Sequence, residues 1–568
     1  MSKTSSKISI ARLIEICALK GIRHVVISPG SRNAPLTLSF AEDDRFECLN
    51  IPDERVAAFF AMGMAIQSGK PVIICCTSGT AALNYAPAIA EAYYQKIPLI
   101  VMTADRPIEW IDQRAGQTMR QRNVYTNYIK KSYELIEEAE QEEHVWYNDR
   151  IVNEVINEAT NGNHGPVHLN VPMREPLYDL VSKDTHGTPK IIHQTDTVSS
   201  LTDQERNNIC KELDQHENIL VILGQNDVQT EMDELLELLS QRKGIVILSE
   251  ATSNCRAPSV LKSIDRLIDS IAEGEYERFE PDLIISVGSA IVSKKIRFML
   301  RAMNAKAHWQ VDPFDSYMDT YQKLTRLIPI HPLQFFQIVD GATKGRADKN
   351  DFQNLWLQRE QETVKAHEEF LATCPWSDLK LFNHILNKVP GGSVHLASST
   401  PVRYTQLFPC REDIIYYCNR GVSGIDGCTS TAAGFAYLDD DVATLITGDL
   451  AFFYDSNAYW HDQMPPNLKT ILINNQGGNI FRYVKGPSRT NHLEKHFEAA
   501  HDTSAEGIAQ AFGLAYLKID GEQKLQEALS WLYSTQKAPA LLEVITPGHL
   551  NIDILKSYFD YLRTVIER

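Results

Sequence analysis

The feature that most constrains the fold of this chain is a series of short, predominantly apolar runs, each ending near Gly, Ser, Asp or Asn. They lie at 24–30, 71–79, 98–106, 167–171, 219–224, 245–250, 283–288, 308–312, 394–399, 414–419, 443–449, 470–475 and 541–545. The runs are too short for typical helices and lack polar alternation, which is typical of parallel strands buried on both faces. Segments with helical periodicity, such as 54–68 and 81–94, lie between them. This alternation predicts doubly wound α/β layers.

Two polar stretches separate these layers into units. Residues 182–206 are polar with little pattern, and residues 340–350 are charged and contain two glycines. A chain of 568 residues is long enough for about three or four domains, each with its own core. We therefore predict three α/β domains with parallel sheets, at 1–181, 200–341 and 355–568.

Composition excludes several classes of partner. Acidic residues outnumber basic ones by 73 to 56, a formal net charge of −17, so nucleic acid and anionic membrane surfaces are poor partners. No apolar run approaches the roughly 18 residues of a membrane span. The first 16 residues lack the apolar core of a secretory signal, and the ten cysteines are scattered without a CxxC pair. We expect reduced thiols and a cytoplasmic protein.

Two patterns resemble known motifs but fail in detail. Residues 63–70 (GMAIQSGK) have five residues between the glycines where a P-loop has four, and Pro71 stands where Ser or Thr would bind magnesium. His492 and His496 are four residues apart, but Glu494 is not at the HExxH position. We interpret the histidines as a solvated helix face.

Polar residues at strand ends carry the chemical information, because open α/β sheets bind ligands at the carboxyl ends of their strands. Asp449 ends one apolar run, Asn475 ends the next strong one, and Gly477 follows closely. A hard divalent cation bound to a diphosphate takes carboxylate, amide and carbonyl oxygens, which Asp449, Asn475 and the carbonyl of Gly477 supply. Taken alone, this pattern is equally compatible with an Asp helix cap and an Asn turn.

A second acidic position opens a long apolar helix in the first predicted domain. Asp53 and Glu54 precede the run VAAFFAMGMAI. By itself, an acid at this place compensates the helix dipole.

Together, these positions resemble the thiamine-diphosphate motif GDG-x-NN, with Leu450 in place of its last glycine. Seven blocks in order resemble one family closely: SPGSRNAPL (28–36), DERVAAFFAMGMA (53–65), TSGTAALNYAPAIAEA (77–92), TADRP (103–107), GPVHLNVPMREPL (165–177), NRGVSGIDGCTSTAAG (419–434) and NNQGGNIF (474–481). The family is that of the 2-succinyl-5-enolpyruvyl-6-hydroxy-3-cyclohexene-1-carboxylate synthases of menaquinone biosynthesis. The resemblance is weak in the middle domain, chiefly at Ser293-Lys294-Lys295.

The resemblance implies the fold, the cofactors and the reaction. The three domains become pyrimidine-binding, central and diphosphate-binding domains of the thiamine-diphosphate-enzyme type. Thiamine diphosphate, anchored by Mg²⁺ or Mn²⁺, attacks 2-oxoglutarate, carbon dioxide leaves, and the four-carbon carbanion adds to isochorismate in a Stetter-like 1,4-addition. The enzyme, a transferase, is expected to be a homodimer or a dimer of dimers with its active sites at the chain interface.

The resemblance also implies roles for individual residues. Glu54 is expected to bond the aminopyrimidine of the cofactor, and Ile425 to hold the cofactor in its V shape. Further cofactor contacts are expected from Ser423, Asp449, Asn475 and Phe481, and metal ligation from Asp449, Asn475 and Gly477. Expected substrate contacts are Ser31, Arg32, Arg106, Gln117, Lys294, Lys295, Ser399, Arg403 and Arg420. Both substrates are dianions, and Arg binds carboxylates bidentately, so an acidic protein needs such a set of cations.

Two alternatives stay open at this point. Another thiamine-diphosphate 2-oxoacid decarboxylase or carboligase would share the cofactor residues, but small neutral acceptors would not need Arg106, Arg403 and Arg420 together. A catalytically inactive paralogue is the second alternative. It would have no chemical reason to keep both the carboxylate of Glu54 and the strand-end Asp and Asn.

Overall fold

Three parallel β-sheets, one after another along the chain, organise the computed structural model of this protein, which describes residues 3–314, 317–345, 351–483 and 486–566. The strands are β1 Lys3–Ser5, β2 His24–Ile27, β3 Glu47–Asn50, β4 Val72–Cys76, β5 Leu99–Asp105, β6 Ser132–Glu134, β7 Val167–Pro172, β8 Leu180–Ser182, β9 Ile219–Leu223, β10 Ile245–Ser249, β11 Leu283–Val287, β12 Ala307–Val311, β13 Leu324–Ile328, β14 Gly392–Leu396, β15 Ile414–Tyr417, β16 Ala443–Gly448, β17 Leu468–Asn474, β18 Ala515–Ile519 and β19 Ala540–Ile545.

Helices cover the sheets. They are α1 Ile8–Leu19, α2 Ala34–Ala41, α3 Glu54–Ser68, α4 Thr80–Asn84, α5 Ala86–Gln95, α6 Glu142–Thr160, α7 Asp203–Leu213, α8 Thr230–Ser240, α9 Ile264–Asp269, α10 Tyr276–Phe279, α11 Lys294–Ala302, α12 Pro332–Thr343, α13 Phe352–Thr373, α14 Asp378–Lys388, α15 Thr400–Thr405, α16 Cys428–Tyr437, α17 Asp449–Tyr454, α18 Ile480–Tyr483, α19 Glu506–Phe512, α20 Leu525–Ser534 and α21 Gly548–Ile566. No helix in the described ranges combines the length and the apolarity needed to cross a membrane.

The first and third sheets have the same strand order. The first runs β3-β2-β4-β5-β7-β6 and the third runs β15-β14-β16-β17-β19-β18, so both follow the order 2-1-3-4-6-5. The middle sheet, β10-β9-β11-β12-β13, follows 2-1-3-4-5. In each sheet, the first and third strands are neighbours from which the chain winds in opposite directions. This switch point is where open α/β sheets bind ligands.

The strands predicted from apolar runs are confirmed, and those the runs missed are mostly edge strands. β3, β6, β13 and β18 lie at sheet edges and keep partly exposed residues, so their sequences lack a continuous apolar run. The helix predicted at 81–94 is interrupted at Tyr85, after which α5 begins with Pro87 in its first turn.

The predicted domain ranges each contain one of the sheets, and their boundaries stay predictions. Residues 187–202 have no regular structure and run along α1 and α6, where Lys20 Nζ donates to the carbonyl of Ile192 at 2.8 Å. In the second predicted linker, α12 continues through Thr343, and residues 346–350 lie outside the described residues.

The first and third sheets are joined by a close crossing of α3 and α16. Residues 56–65 of α3 are all buried, because the helix lies between the two sheets. A Cβ atom on Gly63 would lie 2.0 Å from the carbonyl oxygen of Thr431, and one on Gly434 would lie 1.8 Å from that of Phe60. Gly63, in the P-loop-like segment, therefore serves helix packing.

The crossing predicts that Gly434→Ala destabilises the protein, because the methyl group has no space beside the Phe60 carbonyl. We expect a loss of about 1–3 kcal/mol or more. The midpoint of thermal unfolding should fall by roughly 2–4 °C for each kcal/mol. Gly507→Ala in α19 is the matched control, since no atom lies within 4 Å of its Cβ position. Equal midpoints for the two variants would contradict the close crossing.

Candidate active site

The switch point of the third sheet gathers most of the predicted cofactor and metal residues. Ser399 and Arg403 follow β14, Asp449 follows the neighbouring β16, and Asn475 and Gly477 follow β17. Because these strands are parallel neighbours, their carboxyl ends lie at one edge of the sheet. The fold therefore brings the oxygen donors of the predicted metal site together.

Asp449 presents a buried carboxylate at the start of α17. One oxygen accepts the Gly477 N–H at 2.9 Å and the other accepts the Leu450 N–H at 2.6 Å. Burial raises the pKa of this carboxyl group, because its charged form is removed from water. His501 Nε2 lies 3.5 Å from the carboxylate and is itself buried without a hydrogen-bond partner. A cation here would stabilise the charged form of Asp449.

The side chain of Asn475 is held through its amide nitrogen. Its Nδ2 donates to Asp378 Oδ2 at 2.9 Å, and its backbone carbonyl accepts from Asn479 Nδ2 at 2.8 Å. Asp378 is buried in the first turn of α14, where its other oxygen accepts from Thr546 Oγ1 at 2.6 Å. Burial raises the pKa of Asp378 to about 6. A carboxylate only accepts hydrogen bonds, so the amide nitrogen of Asn475 faces it and the amide oxygen stays available for a cation.

Gly477 adopts a backbone conformation that favours glycine. Its φ is +139°, and a Cβ atom would lie 2.8 Å from the carbonyl oxygen of Glu498. The Gly477 carbonyl accepts the Asn479 N–H at 2.9 Å and keeps a second lone pair.

This donor set fits a divalent cation that also binds a diphosphate. Among the described residues, no group of three His, Cys, Asp or Glu side chains could hold a metal by itself. One carboxylate, one amide oxygen and one backbone carbonyl are hard donors, as Mg²⁺ or Mn²⁺ prefers, and they leave coordination positions for phosphate oxygens.

The loop between β15 and α16 is fixed by an acid from the first sheet's layer. The buried carboxylate of Glu91 in α5 accepts the N–H groups of Gly421, Val422 and Ser423 at 2.6, 2.7 and 3.3 Å. This loop carries the predicted cofactor residues Ser423 and Ile425. Glu91 thereby positions the loop across the domain contact.

Two predicted cofactor contacts with hydrophobic side chains, Ile425 and Phe481, lie close to this loop and to the metal donors. Ile425 is partly buried against a small cluster of Ala397, Cys428 and Ala451, at the switch point. Phe481 is partly exposed in α18, next to Gly478.

The predicted substrate cations of the third sheet have no acidic partner in direct contact. We find no side-chain hydrogen bond or ion pair of Arg403 or Arg420 among the described residues. Burial lowers the pKa of Arg403; the nearby charge of Asp265 opposes this effect and that of Arg420 adds to it. Ser399, just before α15, has a φ of +78°, which is rare for a non-glycine residue and typical of functional sites.

The two predicted lysines of the middle domain lie differently. Lys294 is exposed at the start of α11. Lys295 Nζ pairs with Asp269 at 2.7 Å and lies over the ring of Phe559. Their predicted substrate contacts stay predictions.

A second group of predicted residues follows the strands of the first sheet. Arg32 is buried after β2, where its Nη1 donates to the carbonyl of Met173 at 3.0 Å. Burial lowers the pKa of Arg32, and the neighbouring charge of Arg106 adds to this effect. Ser31 and Gln117 are exposed, and the Gln117 carbonyl accepts from Ser78 Oγ at 2.7 Å.

Glu54 is the first residue of α3, but the helix cap is its neighbour. Asp53 Oδ1 accepts the N–H groups of Arg55 at 3.0 Å and Val56 at 3.2 Å. Glu54 is half-buried, and burial raises the pKa of its carboxyl group. In the described part of the chain its carboxylate has no hydrogen bond or ion pair with another residue. Asp53 is therefore the acid that caps the helix, and the carboxylate of Glu54, in the first turn, is available for a ligand.

The predicted residues of the two groups are not bonded to each other directly within one chain, although Asp53 and Arg55 beside Glu54 contact residues 454–457. We find no hydrogen bond or ion pair, among the residues described, between the first-sheet group around Arg32 and Glu54 and the third-sheet group around Arg403 and Asp449. Sequence reasoning missed Asp378 and Glu91. The one sequence signal for Glu91 is that it is the single acidic residue in the Ala-rich segment 86–92.

Comparison with known proteins first gives the class. Residues 10–125 match the family model described as "Thiamine pyrophosphate enzyme, N-terminal TPP binding domain". Residues 190–392 match the model described as "Middle domain of thiamine pyrophosphate". Fold, site and models together define a thiamine-pyrophosphate enzyme.

The relatives then give the family. The chain is 40% identical over 559 residues to the 2-succinyl-5-enolpyruvyl-6-hydroxy-3-cyclohexene-1-carboxylate synthase of Flavobacterium johnsoniae, covering 98% of this chain and 99% of that protein. The synthase of Porphyromonas gingivalis is 37% identical over 572 residues, covering 99% and 98%. That of Bacteroides thetaiotaomicron is 34% identical over 574 residues, covering 98% and 99%. The chain belongs to this synthase family.

The hydrogen bond from Asn475 to Asp378 predicts that Asp378→Asn weakens metal binding, because an amide no longer dictates which end of Asn475 faces it. We expect a loss of about 10–100-fold in Mg²⁺ affinity, typical of residues that orient a metal ligand. Titration calorimetry of thiamine diphosphate at graded Mg²⁺ measures this loss, and excess Mg²⁺ should restore binding. Asp520→Asn, at an exposed position, is the control. Unchanged Mg²⁺ dependence would contradict the positioning role.

Proposed function

We propose that this protein catalyses the thiamine-diphosphate-dependent decarboxylation of 2-oxoglutarate and the 1,4-addition of the four-carbon product to isochorismate. The product is 2-succinyl-5-enolpyruvyl-6-hydroxy-3-cyclohexene-1-carboxylate, in menaquinone biosynthesis. Family membership supports the reaction. The observation that carries the proposal is the placement of Arg403 and Arg420, without acidic partners, beside the switch point that holds Asp449 and Asn475.

The chain's own residues divide the work. Thiamine diphosphate, when bound, would supply a nucleophilic carbon for addition to the keto carbon of a 2-oxoacid and would accept the electron pair that remains when carbon dioxide leaves. Asp449, Asn475 and the carbonyl of Gly477 would hold its metal ion. Glu54 is half-buried, and its carboxylate has no hydrogen bond to another described residue, so it can share a proton with the aminopyrimidine. Its partial desolvation makes it well suited to this exchange. Ile425, on the loop fixed by Glu91, would support the cofactor's shape.

The arginines bind the substrates' carboxylates. A guanidinium forms two parallel hydrogen bonds with one carboxylate, each worth about 1.5–3 kcal/mol when charge-assisted. Arg32 and Arg106 in one group and Arg403 and Arg420 in the other provide four such partners. The dianionic substrates, 2-oxoglutarate and isochorismate, match this excess of positive charge.

The direct test incubates the protein with thiamine diphosphate, Mg²⁺, 2-oxoglutarate and isochorismate. We expect carbon dioxide release together with loss of the ultraviolet absorbance of isochorismate, and a product of the mass of the two joined fragments. Pyruvate in place of 2-oxoglutarate should give little turnover. Preferential use of pyruvate would instead favour another 2-oxoacid decarboxylase or carboligase.

We also propose that the site is completed by a second copy of the chain, in a homodimer or a dimer of dimers. The absence of a direct hydrogen bond or ion pair between the two residue groups, among the described residues of one chain, is what this assembly would produce. Val422, in the loop that carries Ser423, and Tyr454, at the end of α17, are about half exposed and could pack against a second copy. A two-fold contact would create two equivalent sites.

We place the enzyme in the cytoplasm. All ten cysteines are free thiols, and most of them are buried. This use of cysteine is typical of a reducing compartment.

Glu54→Gln should lower the turnover rate by at least about 10²-fold, the scale of an acid–base contribution. Folding should be unaffected, because Asp53 keeps the cap. The matched control is Glu506→Gln, an exposed acid at the first position of α19, which should keep full activity. Steady-state rates and circular dichroism of both variants give the comparison. Near-normal turnover of Glu54→Gln would rule out this role.

Mixing Glu54→Ala chains with Asp449→Ala chains should restore activity if sites are shared. At random refolding, half of the dimers are heterodimers with one intact site of two, so about a quarter of wild-type activity returns. Each variant alone stays nearly inactive. If every site belonged to one chain, each would carry one lesion and the mixture would stay inactive. Native mass spectrometry confirms that the chains have exchanged.

A further inference from the structure

A cavity of about 380 Å³ lies between the middle sheet's layer and the loop before α16. Arg297 of α11 lines it together with Arg420, Gly421 and Ser423. Two guanidinium groups from different domains thus lie on the walls of one cavity, next to residues of the proposed site.

Both guanidinium groups have a buried hydrogen-bond donor that is not satisfied. The Nε atoms of Arg297 and Arg420 are buried without a hydrogen-bond partner, and neither side chain forms an ion pair with any residue the structure describes. Buried charged donors without partners are costly, and two like charges in one cavity repel each other. Burial lowers the pKa of Arg403; the nearby charge of Asp265 and, more weakly, that of Glu250 oppose this effect, while the charges of Arg420 and Arg297 add to it. The three arginines therefore lie near one another, and the nearby carboxylates of Asp265 and Glu250 form no ion pair with them among the described residues.

The acids of this region are already engaged. The buried carboxylate of Glu250 accepts the N–H groups of Val292 and Ser293, each at 2.7 Å. Asp265 accepts a hydrogen bond from the Ser293 hydroxyl. Both acids hold the start of α11, and neither forms an ion pair with an arginine of the cavity among the described residues.

The three cationic side chains near the start of α11 lie in three different environments. Lys294 is exposed, and Lys295 is paired with Asp269. Arg297 is one turn beyond Lys294 and faces the cavity.

We propose that Arg297 is a substrate-binding residue, which holds with Arg420 a carboxylate group of one of the two dianionic substrates. The proposal rests on the proposed function and extends it, since it gives the middle domain a direct part in the site. The planar fork of Arg matches carboxylate geometry, and a carboxylate between the two groups satisfies donors that are otherwise unpaired. Arg297 would then exclude neutral acceptors, which leave both charges uncompensated.

The test compares Arg297→Met with Arg278→Met, the same change at an exposed arginine of the middle domain. Initial rates are measured while 2-oxoglutarate and isochorismate are varied separately, and thiamine diphosphate affinity and unfolding temperature are measured alongside. We expect the KM for one substrate to rise about 10–100-fold, while the KM for the other changes little. The substrate that is affected is the one whose carboxylate Arg297 binds. Cofactor affinity should stay at the value of Arg278→Met.

Unchanged KM values for both substrates would overturn the proposal, as would a loss confined to stability or cofactor affinity. Arg297→Lys is the second variant: it keeps the charge and loses the fork, so it should fold normally and show a smaller rise in the same KM. If the wild-type protein does not consume the two substrates, the proposed function fails. Calorimetry of 2-oxoglutarate and of isochorismate with the cofactor-loaded wild type and Arg297→Met then tests Arg297 independently.

Discussion

The close crossing of α3 and α16 is the contact on which the arrangement of the chain's two groups of site residues depends. It requires Gly63 and Gly434, because any side chain at either position would overlap a carbonyl of the other helix. α3 begins with Glu54, and the loop before α16 carries Ile425. A contact between two backbones leaves little freedom, so it fixes the start of one helix relative to the other. The crossing thus fixes the arrangement of the two groups within one chain, each of which would serve a different site of the proposed dimer.

Unneutralised positive charge gives the site its specificity. The protein as a whole is acidic, with a net charge of −17, yet Arg403 and Arg420 form no ion pair with any residue that the structure describes, and Arg32 pairs only with the exposed Glu175, at 3.5 Å. Acids that could have neutralised them are used elsewhere, as Glu250 is at the start of α11 and Glu91 is at the loop before α16. Holding cations apart from acids costs folding free energy, and the protein recovers it only when an anion binds.

The sequence indicates the central strands and the strand-end residues more reliably than the contacts between distant segments. Buried strands such as β4 are continuous apolar runs, whereas the edge strand β18 is partly exposed and has no such signature. Glu54 could be selected by resemblance, but only the structure shows that Asp53 is the cap. Asp378 contacts a residue 97 positions away, and Glu91 contacts one 330 positions away. No local pattern encodes such pairs.

The shared strand order of the first and third sheets has a consequence for stoichiometry. The two sheets are copies of one topology that have specialised: one offers the carboxylate of Glu54, and the other offers the oxygen donors led by Asp449. Were the two separate polypeptides, the cell would have to match their amounts, and like halves would compete with unlike halves for the same contacts. A single chain supplies them in a ratio of one to one. Every assembly of whole chains therefore contains as many domains with Glu54 as domains with Asp449, so no domain lacks a counterpart.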